Sequence, residues 1–329
     1  MYAVVISRPG GPEVLDVREV PAPSPQDREV LVRVRAAGLN RADLLQRLGR
    51  YPAPAGSPAN IPGLEFAGEI AGVGASVTRW REGDSVFGIV GGGAHAQYLT
   101  THEDAVASVA RGLTWLQAAA VPEVFITAHD AMIIQAGLQP GELVLIHAVG
   151  SGVALAAIQL IRTRGAVPYG TSRTASKVER AAAHGLAGGM LVRDRLDVIV
   201  EESRRWSNGR GMNVILDLVG GGYTGESVRA AAPQGRLMLV GTMGGPTASI
   251  PLGVVLHQRL TLRGTSLRGR TLAEKIVATA AFVRDVVPLL EDGRVRPVID
   301  SIYSLADVAR AHERVERNET FGKVVLAVD

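Results

Sequence analysis

The chain has 329 residues, a formal net charge of +3, 47% hydrophobic residues and 20% charged residues. This length exceeds what one core usually holds, so two domains are expected, and the balance of apolar and charged residues excludes a largely disordered chain. Cysteine is absent, which excludes disulfides, thiolate nucleophiles, iron–sulfur clusters and every cysteine-based zinc site.

The first segment, from Met1 to about Pro122, predicts an irregular β-rich domain. It is rich in Gly and Pro, and short β-like runs such as Glu29–Ala36 and Gly68–Gly74 lie between turn signals. The chain start has no basic segment or cleavage pattern and no apolar run reaches membrane length, so a cytoplasmic location without a membrane partner is expected. Acids and bases are interspersed along the chain, which argues against a nucleic-acid partner.

The second segment, from Glu123 to about Thr265, alternates apolar strands with helical stretches. This pattern predicts an α/β fold in which a doubly wound parallel sheet is covered by helices on both faces. The predicted strands are Leu143–Ala148, Val167–Thr171, Met190–Val192, Val214–Leu218, Leu237–Val240 and Leu260–Arg263.

The remainder predicts a helix over Leu272–Leu290, an extended segment at Val298–Ile302, a helix near Leu305–Val315 and a closing strand Lys323–Val328. We expect these elements to return to the first domain. Residues 1–122 and 266–329 would then form one discontinuous domain around residues 123–265. The last sheet strand would leave an exposed edge, so we predict a homodimer in which two such strands pair.

A glycine turn follows the first strand of the predicted sheet. Gly150 and Gly152 allow a sharp turn and close approach to a pyrophosphate, while the amides from Ser151 to Val153 open the next helix. A tight turn without a ligand would show the same pattern. Because strand, helix and further strands with glycine-rich loops surround the turn, we favour a dinucleotide site.

The end of the second sheet strand indicates which dinucleotide binds. NAD-specific sites place an acid there, whereas the first acid after Val167 is Glu179. Ser172, Arg173 and Lys177 instead offer a hydroxyl and two cations for a 2′-phosphate, which predicts NADPH. A solvated helix start is the alternative, but the chain has only three lysines, which favours a functional role for Lys177.

Several blocks together resemble the zinc-free quinone oxidoreductase (zeta-crystallin-like) group of the medium-chain dehydrogenase/reductase superfamily. The resemblance runs end to end and is carried by Gly10–Leu15, Gly38–Asp43, Tyr51-Pro52, Pro62–Gly68 and Phe321–Leu326. Zinc-dependent relatives have Gly-His-Glu where this chain reads Gly63-Leu64-Glu65, and they carry cysteines. The resemblance implies a Rossmann sheet inserted in a discontinuous, β-rich GroES-like domain, with no metal.

The same resemblance implies roles for individual residues. Asn40 and Tyr51 would flank the nicotinamide and the substrate, Thr127 would contact the nicotinamide end, and Ser151 to Val153 would hold the pyrophosphate. The group often has an aromatic residue near the adenine where this chain has Val192. The other implied cofactor contacts are Gly150, Gly152, Ser172, Arg173, Lys177, Val219, Gly241, Thr242, Met243, Thr265, Ser266, Leu267 and Asn318.

Hydride transfer to a quinone needs orientation and exclusion of water rather than a nucleophile or metal. Tyr51 is the best candidate proton donor, although it could instead stack on the substrate. Asn40 could hold the acceptor carbonyl or a ribose, or cap a turn. Asp43 and Glu65 are not assigned as catalysts, because nothing in the sequence fixes their separation.

We therefore predict an NADPH-dependent quinone oxidoreductase with a small-molecule substrate. Reduction of an activated alkene in an enone, alkenal or acyl thioester is the alternative within enzymes. A non-catalytic NADPH- or RNA-binding crystallin-like role is the alternative of another class, and the small net charge argues against RNA binding.

Overall fold

The computed structural model describes residues 1–328, which form two compact units. The first unit contains Met1–Ile126 and the described residues from Leu267 onward, and the second contains Thr127–Ser266. Among the described helices, none has both the length and the apolar character that a bilayer-spanning segment needs.

The amino-terminal part of the first unit is built mainly of strands. Its strands are β1 (Tyr2–Ile6), β2 (Leu15–Glu19), β3 (Glu29–Leu39), β4 (Glu65–Val73), β5 (Ser85–Ile89), β6 (Tyr98–His102) and β7 (Val106–Ser108). Its helices are α1 (Arg41–Arg47), α2 (Trp115–Ala119) and α3 (Pro122–His129), with short 3-10 turns at Pro12–Val14 and Glu103–Ala105. The last residues of α3 belong to the second unit.

Strand β3 explains how this unit builds its core. Val30, Val32 and Val34 alternate along it and are buried, while Arg33 is exposed. This period of two directs the apolar side chains to one face of the sheet. Strand β3 pairs with both β4 and β6, so it lies at the centre of a sheet.

The second unit alternates helices with strands after a π-helical segment, Asp130–Gln135, that continues α3. Its strands are β8 (Leu143–Ile146), β9 (Val167–Ser172), β10 (Gly188–Leu191), β11 (Met212–Asp217), β12 (Ala231–Leu239) and β13 (Thr261–Gly264). Its helices are α4 (Gly152–Thr163), α5 (Ala175–Ala182), α6 (Val198–Trp206), α7 (Gly222–Ala230) and α8 (Leu252–Gln258).

These six strands form one parallel sheet in the order β10-β9-β8-β11-β12-β13. This is the doubly wound order of dinucleotide-binding folds, with a reversal between β8 and β11. The central runs Val144–Ile146 and Val214–Leu216 have no solvent exposure, as expected for strands covered on both faces. The predicted α/β fold class is confirmed.

The chain then returns to the first unit through α9 (Leu272–Asp285), α10 (Val287–Glu291), β14 (Ile299–Ser304), a 3-10 turn Leu305–Asp307, α11 (Val308–Glu316) and β15 (Lys323–Ala327). Strand β15 pairs with β3, and β14 pairs with β15. The sheet of this unit therefore joins strands from both ends of the chain, in the order β14-β15-β3-β4-β5-β7 with β6 on β3.

Two predicted elements differ most from the structure. The single helix predicted over Leu272–Leu290 is broken at Val286, which ends α9 and caps α10, and Pro288 lies in the first turn of α10. Proline lacks an amide hydrogen and crowds the preceding turn, so it cannot continue α9. The strand predicted over Leu237–Val240 begins earlier, at Ala231, and a register shift interrupts its pairing with β11.

Candidate functional site

Ser151 holds together the turn between β8 and α4. Its Oγ accepts a hydrogen bond from the Ala154 amide at 3.3 Å, and its own amide donates to the Ala148 carbonyl at 2.9 Å. Since the Ser151 amide serves the turn itself, the amides of Gly152 and Val153 are the ones at the helix start that can face a pyrophosphate.

Lys177 lies against this turn. A Cβ atom built on Gly150 would be only 2.6 Å from the Cδ atom of the lysine, so glycine at position 150 makes room for the lysine stem. A Cβ on Gly170 of β9 would come within 2.2 Å of Val149, so glycine also permits the close approach of β9 to the turn. The backbone amides and the lysine therefore fit the phosphate groups of a dinucleotide.

The ends of β9 and β10 bring further cations to the same edge of the sheet. Ser172 is buried and its Oγ accepts from the Thr174 amide at 3.0 Å, while Arg173 is exposed. Arg193 follows β10 and its Nε donates to the Arg173 carbonyl at 3.4 Å. Val192 is fully buried, whereas Arg193 beside it is exposed.

The loops after β11 and β12 pack against each other. The Gly244 amide donates to the Val219 carbonyl at 2.6 Å. Gly220 has φ +74, and a Cβ there would lie 2.8 Å from the Thr242 Cα, a combination that only glycine accommodates. Met243 is 57% exposed on this loop. Val219 and the segment from Gly241 to Met243 are thus neighbours.

The segment after β13 lies at the same edge, which we name the carboxyl edge: the loops that follow the carboxyl ends of β8 to β13. Thr265 Oγ1 accepts from Gln135 Nε2 at 2.8 Å and lies 3.4 Å from an Asp130 oxygen. Ser266 follows it, and Thr127 is buried on α3. Ligands of doubly wound sheets bind at such an edge.

A buried set of neutral side chains lies beneath the carboxyl edge, and we name it the neutral network: His147, Thr171 and Ser227. The His147 Nδ1 is 3.1 Å from Thr171 Oγ1 and its Nε2 is 2.7 Å from Ser227 Oγ. Burial lowers the pKa of His147 to about 4, although Asp217 acts in the opposite direction. The imidazole is therefore neutral at neutral pH.

Both polar atoms of the Asn40 side chain, in the first unit, form hydrogen bonds. Its Nδ2 donates to Glu65 Oε1 at 2.9 Å, and its Oδ1 accepts from Lys323 Nζ at 2.7 Å. Lys323 also donates to the Leu39 carbonyl at 3.0 Å and forms an ion pair with Glu65. Both charged side chains are almost completely buried. The amide of Asn40 is therefore hydrogen-bonded to both members of a buried ion pair.

Two more acids complete what we name the charged cluster: Asn40, Asp43, Glu65, Glu123 and Lys323. Asp43 accepts hydrogen bonds from the amides of Asn40, at 2.8 Å, and Gly63, at 2.9 Å. These bonds fix the start of α1 and the Gly63 loop, which is a structural role. The Glu123 amide donates to Glu65 Oε2 at 2.7 Å.

Tyr51 lies at the far end of α1 from Asn40, because its amide donates to the Leu45 carbonyl at 3.2 Å. The guanidinium of Arg268 lies 4.9 Å from the centre of the Tyr51 ring and donates to the Tyr51 carbonyl at 3.1 Å. Leu267, beside Arg268, is buried. The two implied substrate residues therefore belong to opposite ends of one helix.

Asn318 is connected to the other end of α1. Its Oδ1 accepts a hydrogen bond of 2.6 Å from Arg41, and its Nδ2 donates to the Glu316 carbonyl at 3.1 Å. Arg41 directly follows Asn40, so Asn318 and Asn40 lie at the same end of the helix.

Several residues that could take part in binding or catalysis were not identified from the sequence. Lys323 carried one signal, its type being rare in this chain, and Arg193 carried none beyond following a predicted strand. Glu123 and Arg268 gave no signal, because their partners come from distant segments. Among residues 1–328, no group of three or more His, Cys, Asp or Glu side chains could hold a metal ion.

Comparisons with known proteins give a consistent family. Residues 26–111 match the model described as the alcohol dehydrogenase GroES-like domain, and residues 190–326 match the one described as zinc-binding dehydrogenase. A quinone oxidoreductase of Pseudomonas aeruginosa is 34% identical over 96% of each chain. A quinone oxidoreductase of Lama guanicoe is 31% identical over 99% of this chain and 97% of that protein.

Solved structures agree on the fold. A mycobacterial protein complexed with NADPH is 26% identical with a TM-score of 0.88, covering 99% of this chain and 100% of its own. The CurK enoyl reductase is 26% identical with a TM-score of 0.89, covering 100% and 99%. An NAD-dependent alcohol dehydrogenase is 29% identical with a TM-score of 0.87, covering 100% of both chains.

Proposed function

Since this chain belongs to the quinone oxidoreductase, zeta-crystallin-like group of the medium-chain dehydrogenase/reductase superfamily, we propose that it is a zinc-independent, NADPH-dependent quinone reductase. The observation that carries the cofactor choice is the set of cations at the carboxyl edge. Lys177 packs on Gly150, Arg193 donates to the Arg173 carbonyl, and β9 ends without an acid. A 2′-phosphate is favoured there and a bare ribose hydroxyl is not.

The chain's own residues bind and orient the reactants. The amides of Gly152 and Val153 would hold the pyrophosphate, and the loops after β11, β12 and β13 would line the ribose and nicotinamide. When bound, the dihydronicotinamide supplies the hydride. A quinone that accepts it becomes a stabilised anion, which Tyr51 or water can protonate. Arg268 fixes the position of the Tyr51 ring and backbone.

The function is tested by following NADPH oxidation with a panel of quinones, enones, alkenals and acyl thioesters. We expect turnover with quinones, a clear preference for NADPH over NADH, and no change after treatment with a chelator. Absence of turnover with every quinone would overturn the proposal. Tyr51→Phe retains the ring over Arg268 and removes the proton donor, so a fall in kcat of at least about tenfold is expected if the phenol donates.

Lys177→Ala tests the cofactor assignment separately. Loss of one charge-assisted hydrogen bond should raise the Kd for NADPH by about tenfold and leave that for NADH nearly unchanged. Arg210→Ala is the matched control, because it removes a cation that precedes β11, at the opposite edge of the same sheet. An equal loss of NADPH and NADH affinity in Lys177→Ala would contradict a 2′-phosphate contact.

A reductase of activated alkenes is the second candidate. The likeness to the CurK enoyl reductase favours it, and the same hydride chemistry serves both acceptors. Faster turnover with enones or acyl thioesters than with any quinone would establish it. A salt-sensitive RNA complex without turnover would instead indicate a non-catalytic role.

We also propose a homodimer formed through β13. This strand is at the edge of its sheet and exposed, and Leu252 and Leu256 of the neighbouring α8 are 75% and 72% exposed. Pairing of two such edges would cover both features. Sedimentation of the chain and of Leu256→Glu tests this, with a monomeric variant expected. The cytoplasmic location remains a prediction.

A further inference from the structure

The acids of the charged cluster are not equally satisfied. Both oxygens of Asp43 accept backbone amides, and both oxygens of Glu65 have partners in Asn40, Lys323 and the Glu123 amide. Glu123 differs: the residue is only partly exposed, and its Oε2 is closed to solvent without a hydrogen-bond partner. In an ionised Glu123 this oxygen would have neither water nor a hydrogen-bond donor, which disfavours the charged form.

Charged side chains from several elements of the first unit act on Glu123. Glu65 on β4 and Asp43 on α1 contribute negative charge, while Lys323 on β15 and Arg268 contribute positive charge. Lys275 on α9 also faces it, and burial lowers the pKa of that ammonium while Glu123 opposes the effect. Burial, followed by repulsion from Glu65, raises the pKa of Glu123 to about 7.

The position of Glu123 gives its charge a specific consequence. Lys323 is shared between Glu65 and the Oδ1 of Asn40. A negative charge on Glu123 would attract Lys323 and repel Glu65, and these two side chains are the ones that hold the Asn40 amide. A neutral Glu123 leaves the shared arrangement undisturbed.

We propose that Glu123 is a positioning residue for Asn40: in its protonated form it keeps the Glu65–Lys323–Asn40 arrangement intact, and its ionisation displaces the Asn40 amide. The link to catalysis rests on the proposed function, in which Asn40 contacts the reactants. The displacement itself is a property of this chain's own side chains and does not require turnover.

The direct test observes the Asn40 amide without substrate. Selective 15N-asparagine labelling and transverse-relaxation-optimised NMR spectra, with the Asn40 resonances identified by their loss in Asn40→Ala, give its side-chain signal as a function of pH. We expect a titration with a midpoint close to neutral pH in the native chain. The signal should be flat over the same range in Glu123→Gln, which fixes the neutral form.

Glu82→Gln is the matched control, because Glu82 is an exposed acid of the same unit, and it should retain the native titration. If the titration persists in Glu123→Gln, or if the native Asn40 signal does not move, the proposal is wrong. Glu123→Asp is the second variant should Glu123→Gln fail to fold. A displaced midpoint in it supports the proposal, and an unchanged midpoint overturns it.

Kinetics then connect this residue to the reaction. With quinone and NADPH, kcat/KM of the native enzyme should fall by up to about tenfold per pH unit above the midpoint, and that of Glu123→Gln should not. If Asn40 titrates through Glu123 but no acceptor is reduced at any pH, the positioning role stands and the proposed function fails. A kinetic pH profile that is identical in both proteins would remove the link to catalysis.

Discussion

The charged cluster of the first unit and the neutral network of the second are both buried and both hydrogen-bonded, yet they depend on pH in opposite ways. The charged cluster holds an ion pair, Lys323 with Glu65, and one acid, Glu123, whose Oε2 is buried without a hydrogen-bond partner. The neutral network holds an imidazole whose two nitrogens both have hydroxyl partners. Burial raises the pKa of the acid and lowers that of the imidazole, because it disfavours the charged form of each.

This difference indicates which substitutions should destabilise each unit most. Removing one member of an ion pair leaves an uncompensated buried charge, whereas removing one hydroxyl leaves only an unsatisfied polar atom. Substitutions that break the ion pair of the charged cluster should therefore cost more unfolding free energy than substitutions in the neutral network.

Lys323→Met should produce the largest loss of stability. It leaves Glu65 as a buried charge without its cation, which typically costs about 3 to 5 kcal/mol of unfolding free energy. Urea unfolding at neutral pH measures the loss. The double variant Lys323→Met with Glu65→Gln removes both charges and should recover much of it. A loss below about 1 kcal/mol in the single variant would show that the pair is not an energetic centre of this unit.

Glu123→Gln should stabilise the chain at alkaline pH. The folded pKa of Glu123, about 7, lies above its ordinary value, so the folded state binds the proton more tightly than the unfolded state. Stability is therefore lost as pH rises from about 4.5 through about 7, by at most about 3 kcal/mol. The glutamine variant should lack this slope, and equal slopes in the two proteins would contradict the expectation.

His147 should make the unfolding free energy fall as the pH is lowered, which is the opposite dependence. Its folded pKa, about 4, lies below its ordinary value, so the unfolded state binds the proton more tightly. Stability is present above about pH 6.5 and is lost as pH falls through about 4, by at most about 3 kcal/mol. His147→Gln should remove this loss of unfolding free energy in acid, as measured by circular dichroism at a series of pH values. His257 is exposed, so the control variant His257→Gln should lose the same unfolding free energy in acid as the native chain.

Ser227→Ala should have the smallest effect of the four. It removes the hydroxyl partner of His147 Nε2 and leaves a neutral atom unsatisfied, at roughly 1 to 2 kcal/mol. Urea unfolding at neutral pH compares it directly with Lys323→Met. If the two variants lose the same stability, the contrast between a charged and a neutral network is wrong for this protein.

The sequence predicted the sheet of the second unit better than the helices of the first. Runs such as Val144–Ile146 are apolar throughout because both faces of a parallel strand are covered, and that pattern is visible without a structure. The helix predicted over Leu272–Leu290 is broken at Val286. The apolar periodicity continues past this residue, but Pro288 cannot continue the hydrogen bonding of the preceding helix. Local chemistry overrode periodicity there.

The candidate site was predictable only where its residues are contiguous. Gly150 and Ser151 predict a turn from the local sequence alone, but the packing of Lys177 on Gly150 depends on how α5 lies against β9. The assignments of individual cofactor and substrate residues remain predictions. Arg193 could not be identified, because its proximity to Arg173 depends on the pairing of β10 with β9.

By itself the sequence determined the fold class, the family and the absence of cysteine chemistry, because these depend on local patterns of apolar residues, glycines and residue types. Only the tertiary structure decided the environments of Asn40 and Glu123. Lys323 is 283 residues from Asn40 in the chain and reaches it only because β15 pairs with β3. The charge state of a buried acid depends on neighbours of this kind, which are remote in sequence and close in space.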